Sequence, residues 1–241
     1  MAFRSQLRRV PVPQRVEQAL DAALDTALRI QRPVVLAYID RLRARHPGIT
    51  PAELVPMLER RYVAAVAGLG GASGAAAAMP GAGTTAVLAS GAAEITAFIS
   101  ASAMYVLALA ELHRVPLSDP GLRRALVVAV LVGEGGEALL AGSDVQTSHW
   151  AQVLAGTAHS NAREASGMLD ARVRPLLLTR FGARQSALLF GRALPLGIGA
   201  GIGAAGNATL ARAAIAAARK AFGPPPREFP PRVIDIDPRT R

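Results

Sequence analysis

Apolar positions along the chain recur with helical rather than alternating spacing. Val16, Leu20, Leu24 and Leu28 fall on every fourth residue, with Glu17, Asp21 and Asp25 between them, which predicts an amphipathic helix. Pro33 starts a second helix, "VVLAYIDRLRARH", which ends at Pro47-Gly48. In "TPAELVPMLERRY", Thr50 can cap, Pro51 suits the first helical position and Glu53 completes a capping box. From Val63 to Ala110 the only charged residue is Glu94. That stretch is divided by the turn signal "PGAG" (Pro80 to Gly83), so it reads as a hairpin of two small-residue helices.

Another start signal stands at "SDPGLRR", where Ser118 or Asp119 caps and Pro120 opens "ALVVAVLVG". A glycine-punctuated stretch follows, with a short helix expected around His149-Trp150. The last helix runs through "ATLARAAIAAARKAF" and stops at "GPPP". No strand pattern competes and no fixed repeat appears. The expected fold is all-α: a compact helical bundle with a Gly/Ala-rich hairpin and a glycine-zipper helix near the C-terminus. Residues 1–13 are expected to form a flexible basic arm, 14–222 a single helical domain, and 223–241 a disordered Pro-rich tail.

The segment "GIGAGIGAAGNATLARAA", Gly197 to Ala214, admits three readings. Gly201 to Gly206 matches G-x-G-x-x-G, but a dinucleotide site needs a strand before it and an acidic residue about 20 positions on. Here a proline-bearing "FGRALPLG" precedes it and a "GPPPRE" terminator follows. As a helix, the pairs Gly197/Gly201 and Gly199/Gly203 form side-chain-free stripes that let backbones approach closely. Each interior glycine costs about 1 kcal/mol relative to Ala, so such a cluster needs compensation from tight packing. As a membrane span the segment is weak, because few of its residues are bulky and apolar. The packing helix ranks first, a membrane element second and a phosphate loop last.

Composition agrees with close-packed helices. Hydrophobic residues make up 51% of the 241, yet aromatics are only 4% and glycines number 23. The apolar content is therefore mostly Ala, Leu and Val, and mean hydropathy is +0.29. The absence of cysteine excludes disulfides, thiolate metal sites and cysteine nucleophiles. The net charge of +10 is unevenly placed. Residues 1–61 carry 11 arginines against 6 acids, 62–171 carry 4 against 8, and 172–241 carry 12 basic residues against 3 acids. Two basic ends thus flank an apolar, slightly acidic middle, the arrangement that an anionic cytoplasmic leaflet attracts. Nucleic acid is not the expected partner, because base-stacking aromatics are scarce. No apolar run follows the charged start before Pro11 and Pro13, so no secretory signal is visible and a cytoplasmic location is expected.

Two polar residues stand out in apolar surroundings. A carboxylate at Glu94 must be paired or neutralised if buried, by a cation or an arginine. Asn207 is the polar exception in the glycine segment and would satisfy a neighbouring backbone or fix helix register. Glu134, Glu137, Asp144, His149 and His159 could in principle supply a hydrolytic metal site, but their spacing matches no metal motif. His46 and His113 lie near expected helix ends, where a histidine commonly meets the helix dipole. No cofactor is expected.

Three blocks in order resemble the EcsC family. They are the segment Met79-Pro80-Gly81 to Glu94, then "LAELHRVPLSDPGLRRAL", then "LPLGIGAGIGAAGNATLAR", and the resemblance covers about residues 50–222. The family is associated by gene neighbourhood with ABC-transporter components and has no established biochemical role, so the resemblance transfers no catalytic residues. It implies a helical, membrane-associated protein of unknown function. Together with the basic ends and the scarcity of bulky apolar residues, the expectation is a non-catalytic protein associated peripherally or by re-entrant helices with the cytoplasmic membrane, through an anionic surface or a membrane complex. Homo-oligomers could form through the small-residue helices. The alternative is a soluble helical small-molecule or metal-dependent enzyme using Glu94 or the Glu134–His159 region.

Overall fold

The computed structural model describes residues 32–77, 84–116, 120–132 and 198–230, with scattered positions within 18–30 and position 151. Within these residues 83% are helical and no strand occurs, so the protein is an all-α bundle. Helical residues within 18–27 precede five longer helices. These are α1 (Arg32–Arg45), α2 (Pro51–Ala77), α3 (Thr84–Leu112), α4 (Pro120–Val132) and α5 (Ile198–Phe222).

The starts and stops follow local chemistry. At the head of α2 the Thr50 N–H and hydroxyl both donate to Glu53 Oε2, each at 2.9 Å. The carboxylate thus reaches back to the cap as the capping box requires, while the threonine hydroxyl points to the carboxylate and not to a backbone N–H. The helix then runs 27 residues without a break, although Pro56 lies inside it and cannot donate to the carbonyl four residues earlier. The end of α3 is a Schellman turn. Val115 N–H donates to Ala110 O at 2.9 Å and Arg114 N–H to Glu111 O at 3.2 Å. Arg114 takes the left-handed conformation this requires, at φ 59°, where glycine is usual. Gly223 closes α5 with φ 76° and an N–H donated to Arg219 O at 2.9 Å.

The arrangement centres on α3, which touches all four of the other long helices. Every residue from Tyr105 to Leu112 on it is buried, as expected of a helix apolar on all sides. The most extensive pairing is α2 with α5. They run antiparallel, because Gly70 of α2 meets Asn207 while Glu59 meets Arg219. On α2 the buried positions Leu54, Leu58, Tyr62, Val66 and Gly70 repeat every four residues, and on α5 Gly203, Asn207 and Ala211 do the same. Interdigitating ridges of this spacing characterise close helix pairs.

The stretch Ala93–Leu112 is 20 residues long with a mean hydropathy of 1.7, enough to cross a bilayer by length and composition. It is 72% buried by the protein's own helices. Residues 223–230, expected within a disordered tail, are instead an irregular segment placed on the bundle. Phe229 packs against the core with the Arg43 guanidinium 4.1 Å from its ring centroid. The basic arm, the short helix at His149-Trp150 and residues 231–241 lie outside the described residues.

The two hydrogen bonds from Thr50 hold the Glu53 carboxyl below the ordinary carboxylate range. Its folded pKa is below the unfolded one, so it stabilises the fold above the ordinary carboxylate range and ceases to as pH falls through the depressed value. Glu53→Gln is therefore expected to lower Tm at neutral pH. Melting curves followed by circular dichroism should show that difference shrinking in acid.

Candidate functional site

The α2–α5 seam and the groove beside it bring together three buried polar residues, Glu59, Glu94 and Asn207. At the seam, α5 approaches α2 so closely that a Cβ at Gly70 would collide with Asn207 Nδ2 and the Gly203 carbonyl oxygen. Glycine is needed there for space. Gly203, also buried, presents its carbonyl oxygen to Gly70, and the Asn207 amide lies beside it. Asn207 is fully buried beside this crossing and donates from Nδ2 to Glu94 Oε1 of α3 at 2.8 Å. Glu94 itself is only 8% exposed. The two polar residues conspicuous in the sequence are thus bonded to each other across 113 positions, and they tie three helices at one point. Asn207 Oδ1 has no hydrogen-bond partner among the described residues.

The glycine stripes behave differently from expectation. Gly201 is exposed, and an added Cβ there would meet open space. Its pair with Gly197 is therefore no part of the described seam; Gly197 lies outside the described residues. Gly199 belongs to α5, but its surroundings are not described, leaving Gly203 as the predicted glycine found at the contact. The match to G-x-G-x-x-G falls inside α5, where helical hydrogen bonding occupies the backbone, so a phosphate loop is ruled out.

Below the seam lies an aromatic and ionic cluster. Tyr62 of α2 and Tyr105 of α3 stack with centroids 4.7 Å apart and planes 2° from parallel. Ser102 Oγ donates its single proton to Phe98 O at 2.7 Å, so Tyr62 is the donor in the 2.7 Å bond between their hydroxyls. The Tyr105 hydroxyl has no hydrogen-bond partner among the described residues. Burial above all, then the charge of Glu59, pushes its pKa well above the usual phenol value. Glu59 is 6% exposed and held by a two-pronged bond from Arg219, Nε at 2.8 Å and a terminal nitrogen at 2.6 Å. A second fork, from Arg32 to the buried Glu111 at 2.6 and 3.3 Å, fastens the start of α1 to the end of α3.

The Glu59–Arg219 pair borders an open groove of about 530 Å³ between α2 and α5. Val63, Ala64, Ile215 and Ala216 form its apolar floor, while Arg60 and Arg212 stand beside Arg219 along it. Arg60, Arg212 and Arg219 are all exposed. The groove went unread in the sequence because it depends on which faces of α2 and α5 meet. One signal was present: Glu59 shares a helix face with Val55, Tyr62 and Val66, so an acid interrupts an apolar face and demands a partner.

Of the remaining candidates, His113 is buried against Phe222, with ring centroids 5.4 Å apart. His46 follows the end of α1 and is exposed. Glu134, Glu137, Asp144, His149 and His159 lie outside the described residues. Among the described residues no three acidic or histidine side chains gather in a way that could hold a metal ion.

Fold and site together define a helical bundle with a glycine-lined crossing, a buried Glu–Asn bond and an arginine-bordered groove. No family model, curated protein or solved structure matches the chain.

Gly70→Ala is expected to destabilise the protein by about 1–3 kcal/mol, since backbone must move to accept the methyl group. Gly201→Ala and Gly206→Ala, with open space at the Cβ, are expected to stabilise it by about 0.5–1 kcal/mol. Urea denaturation of the three variants checks both signs. Arg219→Ala leaves the Glu59 carboxylate buried without its partner. Its expected cost is about 1–2 kcal/mol, less than for a fully buried pair because the Arg219 side chain is 66% exposed. The same denaturation experiment measures it.

Proposed function

We propose that this is an EcsC-like, non-catalytic helical protein of the cytoplasm that associates peripherally with an anionic membrane surface or a membrane complex. The observation that carries the reading is a convergence of charge. Arg60 belongs to the basic N-terminal quarter of the sequence, and Arg212 and Arg219 to the basic C-terminal part, yet all three line one groove. Two basic regions far apart in sequence thus act at one surface, where arginine charge adds for an anionic partner. The burial of Ala93–Leu112 supports surface attachment over spanning, because its apolar face is largely taken up by other helices. The EcsC reading rests on the three sequence blocks.

Sedimentation of the full chain with vesicles tests the proposal. Binding to vesicles containing phosphatidylglycerol, with release as salt is raised from about 0.05 to 0.5 M, is expected, because screening shortens the reach of exposed charge. Equal binding to purely zwitterionic vesicles, or no binding at low salt, would overturn it.

A further inference from the structure

The groove between α2 and α5 is more specific than a generally basic surface. Three arginines and one carboxylate line it, a net charge of +2. Arg219 is committed to Glu59, whereas Arg60 and Arg212 make no ion pair among the described residues. Two free guanidinium groups suit a dianionic head better than a single negative charge. A phosphomonoester carries about −1.5 to −2 near neutral pH and offers three acceptor oxygens to arginine's fork of donors. Beside these charges the floor is apolar, which a free inorganic anion would leave unused. At about 530 Å³ the groove has the size of an ordinary small-molecule site, about 300–1,000 Å³. No aromatic ring is among the described residues lining it, so none of them stacks a nucleobase.

We propose that this groove binds one phosphomonoester amphiphile of a lipid surface, the phosphate held by Arg60 and Arg212 and the alkyl chain lying on the apolar floor. The assignment rests on the membrane-surface reading and narrows it to one site and one headgroup class. Arg219 acts as a positioning residue, since its fork to Glu59 fixes the groove wall while it adds to the positive field.

Titration calorimetry of the full chain with dodecyl phosphate, kept below its micelle concentration, tests the site without a bilayer. One saturable site per chain is expected, with inorganic phosphate binding at least about tenfold more weakly because it leaves the floor uncovered. Arg60→Gln combined with Arg212→Gln should weaken dodecyl phosphate by about tenfold or more. Both positions are exposed, so Tm should stay unchanged and mark the variant as folded. Ala216→Glu, at an exposed helical position on the floor, should abolish binding by placing a negative charge under the chain. No saturable binding, equal affinity for inorganic phosphate, or indifference to the double substitution would each overturn the assignment. If phosphatidylglycerol vesicles bind in a salt-sensitive way while dodecyl phosphate does not, the groove assignment fails and the surface reading stands. If neither binds, both fail.

Discussion

The α2 backbone at Gly70 meets the Gly203 carbonyl of α5 because Gly70 carries no side chain, and the pairing of α2 with α5 depends on that approach. Close contact alone would not fix the helices lengthwise, since a small-residue face can slide by a turn. Asn207 supplies the register by donating to Glu94 of the third helix at 2.8 Å. The bond is buried, so losing either partner leaves a polar group in apolar surroundings. That penalty is larger than the net stabilisation of the bond itself, which makes one alignment strongly preferred. Buried polar residues used to set register act in this way in helical assemblies generally.

The consequences extend along the antiparallel pair. With Gly70 set against Asn207, Glu59 falls beside Arg219, and Tyr62 stacks on Tyr105 of α3. The seam therefore sets where the outer faces of α2 and α5 meet, and so where Arg60 and Arg212 stand relative to the apolar floor. In this sense the groove is a by-product of a packing constraint several turns away. A substitution at the seam would be felt at the groove without touching any residue that lines it.

The sequence made the helices legible because their signals are local. Thr50, Pro51 and Glu53 announce the start of α2, Pro120 that of α4, and Gly223 the end of α5. The helix that starts at Pro51 continues into the small-residue stretch past Pro56, which forgoes the hydrogen bond to the Ala52 carbonyl without ending the helix. Glu94 and Asn207 were legible as anomalies, each polar in an apolar run, but nothing local could show that they answer each other. The glycine stripes were only partly legible for a related reason. Spacing shows which glycines share a face, but not which face is covered, and Gly201 turned out to look outward. The end of α3 near His113 was legible, but nothing local showed that Arg114 would take the left-handed position usually reserved for glycine.

The most direct test of the seam as the organising contact is a double-mutant cycle on Glu94→Ala and Asn207→Ala, read by chemical denaturation. If the bond between these residues fixes how the helices align, the two substitutions should couple by about 1 kcal/mol or more, since losing either partner leaves the other buried and unsatisfied. Effects that simply add, to within about 0.5 kcal/mol, would mean the two residues stabilise the bundle independently and would contradict the account.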